Sequence, residues 1–479
     1  MDKLIGREAE IQILTEALAS PVAELVAVYG RRRVGKTFLI RTVYEHDLVF
    51  EFTGLKSATL PEQLDNFSAT LSDIFQVPVE MAKPGNWLHA FRQLIKVLTA
   101  LKNGKKQVVF LDEFPWMDAP KSGFLNAFDH FWNSWASKQA DLVVVICGSA
   151  ASWMIKNIVG NKGGLHNRIT RRIRLLPFNL YEMELFLQNQ QVRLERYSVL
   201  ELFMVTGGIP QYLSSVKPGE SVAQVIDRLC FTKDGALQNE FQFLYSALFD
   251  RADLHIGIVR ALAAKPSGLT RNEIMQACRL SSGGTLSNLI EELLESGFIS
   301  AYLPFNKTVK DAIYKLVDEF SLFYLKFMEN TKSSGAGAWV SQSDSPSWSS
   351  WSGLAFENIC LQHYPQIKKA LGISGIYSEQ SIWRYTGKGE EKGAQIDLLI
   401  DRKDNCINLV EIKFSTSEFV IDKKYADELR QKRNIFREQT GTKKTLFLTM
   451  LTTFGVKPNE HYLGLIQNSV LMNALFERE

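Results

Sequence analysis

Gly30-Arg31-Arg32-Arg33-Val34-Gly35-Lys36-Thr37 follows the apolar run Glu24–Tyr29 and leads into Phe38-Leu39-Ile40-Arg41. The octet satisfies the spacing G-x-x-x-x-G-K-[ST], and phosphate chemistry explains that spacing. Its glycines let backbone N–H groups wrap a polyphosphate, and the loop opens a helix whose N-terminus favours negative charge. Lys36 reaches the outer phosphates, and Thr37 offers a hydroxyl to Mg²⁺. A chance match in a glycine turn is the alternative, but the flanking strand and helix argue against it.

Working outward, apolar strand-like runs alternate with helical stretches. They are Glu24–Tyr29, Leu48–Phe52, Gln107–Leu111, Leu142–Cys147 and Arg172–Leu176. That alternation predicts an α/β domain whose parallel sheet is covered by helices. Val108-Val109-Phe110-Leu111 ends in Asp112-Glu113. An aspartate at the end of such a strand sits beside the Mg²⁺ shell, and Glu113 is placed to orient or deprotonate water. Acids that merely cap a helix after a strand are the competing reading. The pair of motifs predicts an ATP site with hydrolytic parts.

Bulk properties bound the rest. The 479 residues suffice for about three domains of roughly 150 residues. At 46% hydrophobic and 22% charged, the chain is neither disordered nor a disulfide scaffold. Its net charge of +3 favours no partner, so only local clustering informs on nucleic acid. The uncharged apolar stretch Leu142–Ile155, interrupted by Gly148, Ser149 and Ser152, is too short to span a bilayer, and Met1-Asp2-Lys3 lacks a signal-peptide core. These features predict a cytoplasmic chain without membrane contact. Five scattered cysteines and unpaired histidines argue for reduced thiols and against zinc.

The expected divisions are an ATPase core over 1–178, a helical extension over 179–254, a winged helix-turn-helix over 255–330, a linker over 331–352 and an α/β domain over 353–479. The linker holds nine serines among 22 residues, yet also Trp339, Trp348 and Trp351, which suggests docking.

Gly6-Arg7-Glu8, Ser149 after the fourth strand, and Gly207-Gly208-Ile209-Pro210 accompany the two phosphate motifs. Together they resemble the archaeal-type ATPases of the STAND class, within the AAA+ lineage, over roughly residues 1–325. The resemblance implies a nucleotide-gated switch with adenine near Gly6-Arg7-Glu8, a winged helix closing on the nucleotide, and Ser149 as a γ-phosphate sensor. It further implies that Arg168 senses phosphate or a neighbouring subunit, with self-association through the ATPase domain. The family's glycine before that arginine is Asn167 here. Arg168 belongs to a stretch with Lys162, Arg171, Arg172 and Arg174 and no acid, which also reads as a solvated basic loop. Arg31, Arg32 and Arg33 have the same ambiguity: loop-tip residues for a partner, or for solvent.

The third helix of the winged segment, Thr285–Glu295, carries three acids and no base. Major-groove reading favours Arg, Lys or Asn, so an intramolecular packing role is the stronger expectation.

A second constellation lies near the C-terminus. Gln395–Asp401 and Leu409–Phe414 form a hairpin around Lys403-Asp404-Asn405. Strand period sets Glu411 and Lys413 on one face, and the hairpin brings Asp397 alongside. Glu357, early in a helix, completes a possible Mg²⁺ set, with Glu357, Asp397 and Glu411 as ligands. Lys413 is suited to position water and offset charge at phosphorus. Burying such charges without a metal or partner is costly, although a salt-bridged hairpin face remains an alternative. Glu357, Asp397, Glu411 and Lys413 resemble the PD-(D/E)XK nuclease superfamily, with Ile396 in place of the family's proline. That resemblance implies a restriction-endonuclease-like α/β fold acting on nucleic acid, DNA ahead of RNA. It is similar, too, to the C-terminal region of unknown function carried by this ATPase family. The helix Ile421–Arg437, with six bases against three acids, reads equally as a phosphate-backbone face or a solvated one. The expectation is an ATP-driven switch coupled to a Mg²⁺-dependent nuclease. The alternative is an ATP-gated regulator whose inactive nuclease fold grips nucleic acid or protein.

Overall fold

Valine- and isoleucine-rich runs shed the most apolar surface when both faces of a strand are covered, and the central strands of the N-terminal sheet do so. In the computed structural model, β1 (Glu24–Tyr29), β3 (Gln107–Asp112) and β4 (Leu142–Gly148) are buried at every position. The outer strands, β2 (Leu48–Thr53) and β5 (Arg171–Arg174), are only partly so. The structure describes residues 4–75, 83–149, 151–159, 165, 167–249, 251–281, 283–331, 335, 337–387 and 392–478. All pairings in this sheet are parallel, in the order β2-β3-β4-β1-β5. Parallel pairing sends each connection back through a helix, so the carboxyl ends of β3, β4 and β1 lie side by side.

Aromatic side chains fill the layer beneath one face. Phe91 stacks on Phe131 at 5.0 Å between ring centroids, and Trp87 meets Phe124 edge-on at 4.8 Å. Such contacts add to the area buried and fix the helices Trp87–Ala100 and Phe124–Ser134 against the sheet.

The chain forms two compact units, Met1–Leu176 with Leu244–Ala252, and Pro177–Phe243 with Asp253–Glu479. The second therefore unites stretches that the sequence divides. It holds a small antiparallel sheet, order β6-β8-β7, from β6 (Leu269–Thr270), β7 (Ile299–Tyr302) and β8 (Ile313–Leu316). Helices Arg271–Ala277 and Gly284–Glu295 stand between β6 and β7. Beyond lies a five-stranded mixed sheet, order β13-β12-β11-β10-β9. Its strands are β9 (Ser378–Tyr385), β10 (Ala394–Arg402), β11 (Cys406–Lys413), β12 (Thr445–Thr452) and β13 (Asn468–Leu471). The β10–β11 pairing is the expected antiparallel hairpin, and helix Lys423–Thr440 makes the crossover that parallel β11 and β12 require.

The serine-rich stretch is not the free linker its composition suggests. Trp339 stacks on Phe231 at 5.5 Å, and Trp351 packs edge-on against Phe323 and Phe327. A helix begins within it at Pro346 and runs to Gln362. Ser345 caps that helix by accepting from the Trp348 N–H, and proline suits its first turn. Buried indoles outweigh the flexibility that serine lends the backbone.

Candidate functional site

The phosphate loop leaves β1 at Gly30, where a Cβ would stand 2.3 Å from the Leu175 carbonyl oxygen, so only glycine fits. Gly35, at φ 92°, then caps helix Lys36–Val43 in the left-handed region. The Lys36 side chain is buried and folds back over the loop, donating to the carbonyls of Gly30 (3.1 Å) and Arg31 (2.9 Å). Burial pulls its ammonium below the ordinary lysine value, and Asp112 and Glu113 oppose that shift. The lysine is thus held in place, with carboxylates to keep it charged.

Thr37 Oγ1 donates to Asp112 Oδ2 at 2.8 Å, joining the helix start to the end of β3. The other Asp112 oxygen accepts the Glu113 N–H at 2.9 Å. Glu113 itself has φ 46°, a left-handed geometry that turns the chain sharply after the strand. Ser149, just past β4, donates to the Glu113 carboxylate, with Oγ 2.9 and 2.8 Å from its two oxygens. Thr37, Asp112, Glu113 and Ser149 are thereby linked by hydrogen bonds across neighbouring strand ends, with Lys36 held separately by the loop carbonyls. A hydroxyl beside a carboxylate is the oxygen donor set that Mg²⁺ takes, so Thr37 and Asp112 fit that ion.

Other expected residues fall differently. Arg7 reaches the loop, donating to the Val34 carbonyl at 3.4 Å, which brings the Gly6-Arg7-Glu8 turn to the site. Arg31 is buried and therefore not a solvent-facing loop tip, whereas Arg32 is exposed and Arg33 takes φ 71°. Arg168 lies 4.0 Å from Asp129. Arg171 pairs with Glu16 at 2.9 Å and Glu24 at 3.5 Å, so that part of the basic stretch is neutralised internally. Lys162 lies outside the described residues.

In the C-terminal sheet, Leu398 pairs with Val410, which carries Asp397 to the neighbourhood of Glu411. Asp397 Oδ2 accepts the Ile412 N–H at 3.0 Å. Glu411 is buried, and burial and Asp397 push its carboxyl above the usual range. Lys432 approaches it at 2.6 Å, the Tyr425 hydroxyl donates to it at 3.1 Å, and Lys413 stands 3.9 Å away. Glu357 is half-buried and pushed up to about 7 by burial, then by Asp397. Among the described residues, no group of three or more His, Cys, Asp or Glu side chains is placed to hold a metal ion. Asp397 acts electrostatically on both Glu357 and Glu411, and amines approach Glu411.

By sequence Lys432 counts only among the six bases of the helix Ile421–Arg437 and Tyr425 is passed over, although a signal for their meeting Glu411 exists. Tyr425, Leu429, Lys432 and Phe436 recur at helical spacing, and Lys432 is the one charged member of that face. Lys315 on β8 was also missed; it shares a charged neighbourhood with Glu357 and Asp397.

Residues 4–216 match the family model of an ATPase domain predominantly from Archaea. The chain is 24% identical over 439 residues to an uncharacterized protein of Methanocaldococcus jannaschii, covering 91% of each. Among solved structures it is similar to the Walker-type ATPase of Pyrococcus abyssi, at 18% identity and a TM-score of 0.46, covering 68% of this chain and 96% of that one. Cdc6p from Pyrobaculum aerophilum follows at 14% identity and a TM-score of 0.32, covering 68% and 95%. The N-terminal part is thus an archaeal-type ATPase domain, α/β in fold, with a parallel five-stranded sheet. No described helix is long and apolar enough to cross a membrane.

Proposed function

We propose that this chain is an ATP-binding and ATP-hydrolysing switch of the STAND type. The observation that carries the reading is the bonded series Thr37–Asp112 and Ser149–Glu113 beside the buried Lys36. In this reading the Gly30–Thr37 loop cradles the phosphates and Lys36 neutralises their outer charge. Mg²⁺, held by Thr37 and Asp112, supplies neutralisation of charge on the β- and γ-phosphates. Glu113 is the base that orients water, and the Ser149 hydroxyl sets where its carboxylate points until the γ-phosphate competes for that hydroxyl. Arg168 answers a phosphate or a neighbouring subunit, consistent with self-association through this domain. Initial-rate phosphate release by the parent and the Glu113→Gln chain tests the reading. Parental turnover in the variant defeats it.

The remaining segments extend the switch. The β6–β8 segment with its helices is a winged helix, and residues 353–479 are a PD-(D/E)XK-like domain directed at DNA. Its acting residues are Glu357, Asp397, Glu411 and Lys413, and ATP turnover governs its access to the strand. A specific observation favours a second form of this reading. Glu411 is occupied by Lys432 at 2.6 Å, as in a domain that grips nucleic acid or protein without cutting. The acidic helix Gly284–Glu295 turns Glu292 onto His255 at 2.7 Å, which supports a packing role for that helix. Incubation with linear DNA and Mg²⁺ separates the two forms. Cleavage that Asp397→Ala abolishes supports the nuclease, and retained binding without cleavage supports the grip.

A further inference from the structure

One cavity in the second unit shares only Glu357 with the chemistry above. Its volume is about 670 Å³, within the range that encloses a ligand of nucleotide size and far below what a duplex needs. Arg260, Lys315 and Lys326 line it together with Glu329 and Glu357, three cations against two carboxylates. Glu329 is already taken by Arg260 at 2.6 Å. Lys315 and Glu357 behave differently. Both are half-buried and face the same cavity, yet among the described residues neither makes a hydrogen bond or an ion pair within 4 Å. An ammonium taken partly out of water without closing on an acid is unfavourable unless a ligand supplies the missing contacts. Burial does lower the Lys315 ammonium, with Glu357 and Asp397 as the charges that oppose the change. The rest of the wall is apolar: Trp351, Leu322, Leu325 and Leu354 offer a surface to a flat ring.

We propose that this cavity receives one nucleoside monophosphate unit, its phosphate on Lys315 and its base against the Trp351 and Leu354 wall. The unit is either free or the terminal residue of a single strand. In the second case the inference rests on the nucleic-acid reading of the C-terminal domain and names its substrate as a strand end. Lys315 comes from β8 and Glu357 from helix Pro346–Gln362, so the pocket exists only where those elements pack. Asn358 fixes that packing by donating to the Leu316 carbonyl at 3.1 Å.

The test uses full-length protein on a Lys36→Ala background, which removes the competing phosphate loop, with EDTA present so that nothing is cut. Fluorescence anisotropy of an internally labelled decathymidylate reports binding. Lys315→Met and Leu354→Trp, the second filling the cavity from a partly exposed position, are each expected to weaken it at least about 10-fold. Competition by dTMP identifies a free nucleotide as the source; competition by linear but not circular single strands identifies a strand end. Unchanged affinity in both variants overturns the proposal. So does equal competition by a duplex with closed ends, or failure of decathymidylate and dTMP to bind the parent. Parental ATP turnover in both variants, measured with Lys36 intact, shows that they fold. Because binding is read without metal, its failure leaves cleavage to be judged separately, and absence of cleavage leaves the pocket standing.

Discussion

Both large sheets end an apolar strand in charge, β3 at Asp112-Glu113 and β11 at Glu411 and Lys413, but the two ends are organised differently. At β3 each carboxylate is held by a neutral donor: the Thr37 hydroxyl on Asp112 and the Ser149 hydroxyl on Glu113. The cation, Lys36, is tied to backbone carbonyls instead of to the acids. Charge there stays available to a ligand. At β11 the acid is met by ammonium groups from its own chain, Lys432 and Lys413, with Tyr425 alongside. Parallel topology explains part of the contrast. It delivers a loop and a helix N-terminus to the strand ends, where backbone N–H groups await an anion. The mixed sheet instead lays a lysine-bearing helix across its acids. Similar residues therefore make a prepared site in one case and a self-neutralised one in the other.

Substitutions sharpen that contrast, those on turnover first and those on stability second, each from the larger effect to the smaller. Glu113→Gln should lower ATP turnover by about 10³-fold with nucleotide affinity preserved, because it removes a base and keeps the shape. Phosphate-release rates beside nucleotide titrations check both halves. Lys36→Ala should cost turnover on the order of 10²-fold and also weaken ATP binding, since its charge acts on the bound phosphates. Equal affinity by calorimetry would break the picture of a prepared site.

At β11 the expected loss is stability. Lys432→Met leaves a buried carboxylate without its closest cation and should lower the unfolding free energy by about 4 kcal/mol. Glu411→Gln on top of it should return much of that loss. If denaturant titrations show the single variant as stable as the parent, the acid is not self-neutralised.

The smaller of the two stability effects is a pH dependence in the same unit. His363 is buried, accepts the Leu180 N–H at Nε2 and stands 2.7 Å from the Ile359 carbonyl through Nδ1. Burial lowers its pKa from 6.5 to about 4. The neutral form is favoured on folding, so its contribution is complete above pH 6.5 and fades as pH falls towards 4. About 3 kcal/mol follows from a shift of that size. Unfolding curves collected from pH 7 to pH 4 should flatten over that window in His363→Gln.

How far the sequence spoke depends on how local each feature is. The phosphate loop was legible because eight consecutive residues carry it, and β1, β3 and β4 because valine runs bury both faces. The hairpin of β10 and β11 followed from strand period and a polar turn. Lys432 was hidden, since its partner is 21 residues away and reached only after helix Lys423–Thr440 crosses the sheet. Lys315 was hidden for the same reason, as its neighbours Glu357 and Asp397 belong to other elements. The tryptophans at 339, 348 and 351 hinted at docking, but serine content concealed that a helix starts among them.

The sequence by itself determined the chemistry of the phosphate site. Spacing within one loop fixes which backbone groups and which ammonium can meet a phosphate, and a strand ending in Asp-Glu fixes the acids beside it. Tertiary structure alone decided which charges remain open. Whether a carboxylate meets a hydroxyl, an ammonium or a cavity depends on which helix is laid over it. That choice is made by apolar packing elsewhere, among rings and aliphatic side chains that take no part in the chemistry.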